Sequence, residues 1–168
     1  MMVPSDPTDS SNGNSSLRWM VCSFDDLPRR WLYRLLQARQ EVFTIEQHVI
    51  CQDLDDLDFE AQHVLCVDGD RVAAYARVLA AGTRYDEPSF GRVLTTTDYR
   101  GIGLGKALVR RCVQTIETLS PDSPSSRISA QLYLKDFYAA FGYVPFGDVY
   151  LEDAIDHIAM RRKKNARP

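Results

Sequence analysis

Residues 100–106 read RGIGLGK, with a strand-like apolar run at 90–96 immediately before them and an apolar stripe at helical spacing over 104–119 behind them. No other stretch constrains the fold as tightly, because a strand, a glycine turn and a helix in that order make one packing unit of an α/β layer. Gly101, Gly103 and Gly105 lack a Cβ and tolerate positive φ, so successive N–H groups can converge on an anion at the positive end of the following helix. Arg100 and Lys106 add charge beside them. A glycine-rich helix entry with no ligand has the same spacing, so the turn alone leaves both readings open. Two familiar phosphate loops are excluded by residue identity: a P-loop needs Ser or Thr after its lysine, where Ala107 stands, and a dinucleotide turn needs glycine at 106, where Lys106 stands.

The length of 168 residues suits a single domain with its own core. Residues 1–16 are rich in Ser, Asn, Asp, Pro and Gly and are expected to be a disordered leader, 17–164 the domain, and 165–168 a flexible end. A net charge of -3 gives no overall attraction to nucleic acid. No window has the apolar length of a membrane span, and the start lacks the basic and apolar regions of a secretory signal, so the expectation is a cytoplasmic protein without membrane or nucleic-acid partners. Neither the cysteines nor His48, His63 and His157 fall at metal-ligand spacing, so no metal is expected.

Taken in order, 17–24 reads as a strand, and Asp25, Asp26 and Pro28 supply a capping carboxylate and an early-helix proline. Trp31, Leu32, Leu35, Leu36, Val42 and Phe43 then recur at helical steps. Residues 44–62 form a long acidic connection, a candidate substrate-side wall. Runs at 63–67 and 72–81 flank Asp68, Gly69 and Asp70 as a β-hairpin. After the strand at 90–96, Leu104, Leu108, Cys112, Val113, Ile116 and Leu119 form the apolar stripe of a helix. A Pro/Ser link at 120–126 leads to a strand at 128–132, a helix at 133–141 stopped by Gly142, and closing strands at 143–151 and 157–162 around Glu152 and Asp153. This order predicts a mixed α/β sheet with helices on its faces.

Arg100-x-x-Gly103-x-Gly105 between a strand and a helix, followed by a strand and then FYAAFGY at 137–143, resembles the GNAT superfamily of N-acetyltransferases. VFTIEQ at 42–47, QDLD at 52–55, AYAR at 74–77 and FGRV at 90–93 resemble its ElaA-type branch. The resemblance implies a mostly antiparallel mixed sheet with helices on both faces and one splayed parallel strand pair, with acetyl-CoA in the gap between 90–96 and 128–132. By the same analogy Val93, Leu94 and Thr95 would hold the pantetheine arm. Arg100, Gly101, Gly103, Leu104, Gly105 and Lys106 would hold the pyrophosphate. Gln131 stands where the family often has Asn, a longer amide with a different reach.

Direct acetyl transfer needs an unprotonated amine, a polarised carbonyl and a proton for the leaving thiolate. Tyr138 is the candidate acid, although its helical position also suits a core aromatic. The candidate bases are Glu46 and His63 first, then Asp53, Asp56 and His157. Gln47, Asp53, Arg77, Arg92 and His157 are the candidate acceptor contacts. The acidic connection would suit a small cationic amine, whereas Arg77 and Arg92 would either hold a substrate carboxylate or pair structurally. The expected function is acetyl transfer to a primary amine of a small molecule or peptide. A catalytically silent acyl-CoA sensor or a partner-binding domain is the alternative, and a homodimer through sheet edges or terminal strands is compatible with either.

Overall fold

The computed structural model describes residues 17–164, and the expectations for 1–16 and 165–168 fall outside the described residues. The elements are β1 Arg18–Ser23, α1 Arg29–Arg39, β2 Gln62–Asp68, β3 Arg71–Leu79, β4 Ser89–Thr95, α2 Leu104–Leu119, β5 Ser125–Gln131, α3 Lys135–Ala139, β6 Val144–Glu152 and β7 Ile155–Lys163. They build a seven-stranded sheet in the order β1-β2-β3-β4-β5-β7-β6. Every neighbouring pair is antiparallel except β4 and β5. Those two meet in parallel at Ser89 and Arg127 alone, where the Arg127 N–H donates to the Pro88 carbonyl at 3.0 Å. Past that point they part.

The central strands β2 and β3 are largely apolar because both of their faces are covered. On β2, Val64 and Cys66 join the core under α2, while the alternate residues Leu65 and Val67 join the core under α1. Ala73, Ala74 and Ala76 keep β3 low enough for the α2 stripe of Leu104, Leu108, Val109, Cys112 and Ile116 to settle on it. Leu119, expected in that stripe, lies exposed at the helix end.

Three local outcomes differ from the sequence reading and shape the cleft. Pro28 itself caps α1, its carbonyl accepting from the N–H groups of Trp31 and Leu32, while Asp26 accepts from the Ser23 hydroxyl at 2.6 Å. The helix does not run evenly to Phe43; after Arg39 it widens into a π-helical turn, Gln40–Glu46, a geometry found often beside functional sites. The segment expected as one helix over 133–141 is a 3₁₀ turn, Leu132–Leu134, followed by the short α3.

In β4 the register slips between the pairs Tyr75–Leu94 and Arg77–Gly91, so Arg92 and Val93 together oppose Ala76. Arg92 sits at φ 52, a left-handed conformation that costs a non-glycine residue roughly 1–2 kcal/mol. Such a bulge bends its strand and sharpens its twist, here at the point where β4 leaves β5. The β6–β7 hairpin turns through Asp153 and Ala154, at φ 51 and 62, with Glu152 still paired to Ile155.

Candidate active site where two parallel strands part

The gap between β4 and β5 opens into a cleft of about 740 Å³. Val93, Leu94 and Thr95 line one wall and Ile128, Ser129 and Gln131 the other, with Arg100, Gly101, Gly103, Leu104, Gly105 and Lys106 at one end. Gly101 and Gly103 sit at φ 79 and 84, and a Cβ on either would meet nothing within 4 Å. These glycines are therefore set by backbone conformation and not by packing. The N–H groups of residues 101–105 have no acceptor among the described residues, and α2 carries no side-chain cap. Successive unpaired donors beneath open space, at the positive end of a sixteen-residue helix, form a cradle suited to a diphosphate.

Tyr138 of α3 reaches the cleft from the α2 side. It is only 5% exposed and packs among Phe90, Phe137 and Tyr143, with ring centroids 6.1, 5.1 and 6.5 Å away. The core reading and the cleft reading of this residue hold together: burial raises its pKa and keeps the phenol protonated, while the cleft gives it access to a reacting group.

A sequence model of the acetyltransferase (GNAT) domain matches residues 36–164. The chain belongs to the GNAT acetyltransferase family. It is 40% identical over 145 residues to a UPF0039 protein of Synechocystis, covering 86% of this chain and 94% of that one. It is 36% identical over 149 residues to the ElaA protein of Escherichia coli, covering 88% and 97%. Among solved structures, an acyl-CoA N-acyltransferase from Pseudomonas aeruginosa superposes with a TM-score of 0.83 at 38% identity, over 88% of this chain and 99% of that one. Escherichia coli ElaA superposes at 0.82 with 33% identity, over 88% and 100%. The ElaA-like branch and the GNAT fold expected from the sequence are those observed.

The other half of the GNAT cleft corrects the acidic-wall expectation. Asp53, Asp55 and Asp58, from the connection between α1 and β2, are each engaged by arginine. Arg39 bonds Asp53 at 2.6 Å and Asp58 at 2.7 Å, and Arg77 holds both oxygens of Asp55 at 2.5 and 2.7 Å and reaches Asp58 at 3.2 Å. Arg92 pairs with Asp53 at 2.5 Å. Arg39 and Arg77 are each 1% exposed, so this is a buried, charge-balanced strut joining the connection to β3 and β4. Arg77 and Arg92 are thus both ion-paired within the protein. Asp53, Arg77 and Arg92 still touch the cleft, but each is paired, Asp53 with Arg39 and Arg92, and Arg77 with Asp55 and Asp58.

Both leading base candidates fare differently from expectation. His63 is 1% exposed and lies outside the cleft lining, with Nδ1 2.9 Å from the Tyr75 hydroxyl and Nε2 3.0 Å from the Asp58 carbonyl. The carbonyl can only accept, so Nε2 carries the hydrogen and Nδ1 accepts from Tyr75: a neutral core histidine whose pKa burial lowers. Glu46 does line the cleft, but Arg100 holds both of its oxygens and lowers its pKa, which weakens it as a base. Asp56 lies outside the lining. Gln47 and Gln131 face each other at 3.4 Å across the cleft, and His157 of β7 stands opposite Gln131.

Sequence reasoning missed Ser129, Arg84 and Glu152. Glu152 accepts from the Ser129 hydroxyl at 2.7 Å and from Arg84 at 2.9 Å. Burial works against its charge, but these two bonds prevail and its pKa is lowered. The alternation of β5, with Ser126, Ile128 and Ala130 buried, carried the signal that Ser129 and Gln131 share the opposite face. Nothing local could pair them with residue 152.

Proposed function

We propose that this chain is an acetyl-CoA-dependent N-acetyltransferase that moves the acetyl group directly to a primary amine. The observation that carries the reading is the coincidence, in one cleft, of the unpaired N–H groups of residues 101–105 with the protonated Tyr138. The description of its Pseudomonas relative as an acyl-CoA N-acyltransferase points the same way. Acetyl-CoA supplies the activated thioester. Residues 101–105 receive its pyrophosphate, the backbone of Val93, Leu94 and Thr95, beyond the point where β5 stops pairing with β4, aligns its pantetheine arm, and the Tyr138 hydroxyl gives a proton to the departing sulfur. Because Asp53, Asp55 and Asp58 are balanced by Arg39, Arg77 and Arg92, the acceptor is selected by shape and by the polar groups Gln47, Gln131 and His157 more than by an acidic field.

The test is coenzyme A release from acetyl-CoA with spermidine, tyramine and a tripeptide with a free N-terminus. Wild type releases coenzyme A with at least one of them, and Tyr138→Phe lowers kcat about 100-fold while acetyl-CoA affinity is retained. Binding of acetyl-CoA without release for any amine would favour a silent sensor. Absence of any thermal shift with coenzyme A would remove both readings.

A further inference from the structure

We propose that His157 is the general base of this site, taking the proton from the acceptor's ammonium at Nε2; the assignment rests on the N-acetyltransferase reading. Of the four carboxylates that line the cleft, three are committed elsewhere and the fourth, Asp153, lies exposed on the β6–β7 turn. Glu46 is held by Arg100, Asp53 by Arg39 and Arg92, and Glu152 by Arg84 and Ser129. His157 lines the same cleft, and its ring is prepared for proton uptake by two independent contacts.

The first is the Ile155 carbonyl, 2.8 Å from Nδ1. A carbonyl only accepts, so the neutral ring carries its hydrogen on Nδ1 and keeps its lone pair on Nε2, which has no protein partner among the described residues. The second is Tyr150, stacked on the ring at 6.2 Å and 25°. The β6–β7 turn sets the first contact: Asp153 and Ala154 both take left-handed backbone, and Ile155 resumes the strand directly after them. Backbone strain of this kind persists where the surrounding structure requires one geometry. The titratable and charged groups on the elements flanking His157 are Tyr150 and Glu152 on β6, with Arg84 bound to Glu152, Asp153 and Asp156 in the hairpin, and Tyr133 on the 3₁₀ turn packed on β7; Gln131 on β5 is neutral.

The step balances as follows. Nε2 of His157 takes one proton from R–NH3⁺, leaving R–NH2. The nitrogen lone pair forms the N–C bond to the thioester carbonyl carbon, the C–S bond breaks, and the sulfur takes the Tyr138 hydroxyl proton. The phenolate recovers a proton from the new amide nitrogen, and the imidazolium releases its own to solvent. Ammonium and thioester thus give amide, thiol and one proton.

The experiment measures kcat/KM against pH for wild type, His157→Gln and His157→Ala with the three amines named above. The expected result is a single-proton acid limb in wild type that is absent from His157→Gln, a loss of about 100-fold at neutral pH, and partial rescue of His157→Ala by added imidazole. Both variants are first shown to bind acetyl-CoA as wild type does. Turnover in wild type with an unchanged rate and acid limb in His157→Gln would overturn the base assignment while leaving the N-acetyltransferase reading in place. No turnover in wild type with any amine, although acetyl-CoA binds, would overturn that reading and the assignment with it.

Discussion

Glu46 and Arg100 are joined through both carboxylate oxygens, at 2.6 and 2.8 Å, while the Arg100 Nε donates to the Thr95 carbonyl at 3.0 Å. The guanidinium at the mouth of the glycine turn is thus a strut between the π-helical turn after α1 and the end of β4. Its charge is already paired. Each partner's side chain is 40% exposed, so solvent screens the pair and its contribution to stability is about 0–1 kcal/mol.

A competition follows for the same guanidinium. Glu46→Gln releases Arg100 toward the phosphates and is expected to tighten coenzyme A binding, whereas Arg100→Ala loosens it about tenfold, one charge-assisted hydrogen bond's worth. Melting temperatures of both variants stay near wild type. Calorimetric titration with coenzyme A decides it: unchanged affinity in both would mean that the Arg100 side chain takes no part in binding.

Gly103→Val places a branched side chain over the cradle at φ 84. The expected outcome is a stability loss of roughly 1–2 kcal/mol from the backbone and the disappearance of the thermal shift with coenzyme A. Gly82→Val is the control, because Gly82 has φ 85, a Cβ there meets nothing within 4 Å, and it lies outside the cleft lining. It should show the strain and keep the shift; equal loss of binding in both would refute the placement of the anion.

Asp58 offers one oxygen, Oδ1, to both Arg39 and Arg77. Asp58→Ala strands part of two buried cations, and we expect a loss of about 3–5 kcal/mol, read from urea unfolding. A surface pair such as Arg30–Asp70, broken by Asp70→Ala, should shift the midpoint by no more than about 1 kcal/mol.

Stability should fall on acidification in two windows. His63 is held neutral by burial, with its pKa below the usual value of about 6.5. Its contribution is complete above that value and declines as the pH falls below it, because the unfolded chain takes up a proton that the folded chain refuses. Burial works against charge on Asp55, but Arg77 and Arg92 more than offset it and lower its pKa, so its share is lost only below the usual carboxylate range, about pH 4. Urea midpoints between pH 7 and 5 should drop in wild type and less steeply in His63→Gln. Equal slopes would show that His63 does not carry the first window.

The legible parts were those written in short-range pattern. The hairpin at Gly69, the α2 stripe and the glycine turn are each fixed within a few residues of themselves, by turn conformation and by helical periodicity. The breadth of α1 was not legible, because the change from α to π spacing after Arg39 depends on where Val42 and Phe43 find cover beneath the sheet. Nor was the difference between His63 and His157. Each is a lone histidine on a strand, yet β2 is covered on both faces and leaves its histidine in the core, while β7 stands opposite β5 beside the parted strands and leaves its histidine at the cleft.

By itself, then, the sequence determined the strand–glycine–helix unit and its pairing with FYAAFGY, and through them the family and the glycine conformations at the start of α2, since backbone conformation and helix dipole are local properties. Only the tertiary structure decided the net charge of the connection between α1 and β2. Asp53, Asp55 and Asp58 are acidic in the chain, but Arg39, Arg77 and Arg92 reach them from α1, β3 and β4, and an ion pair between distant segments exists only after the sheet has brought them together.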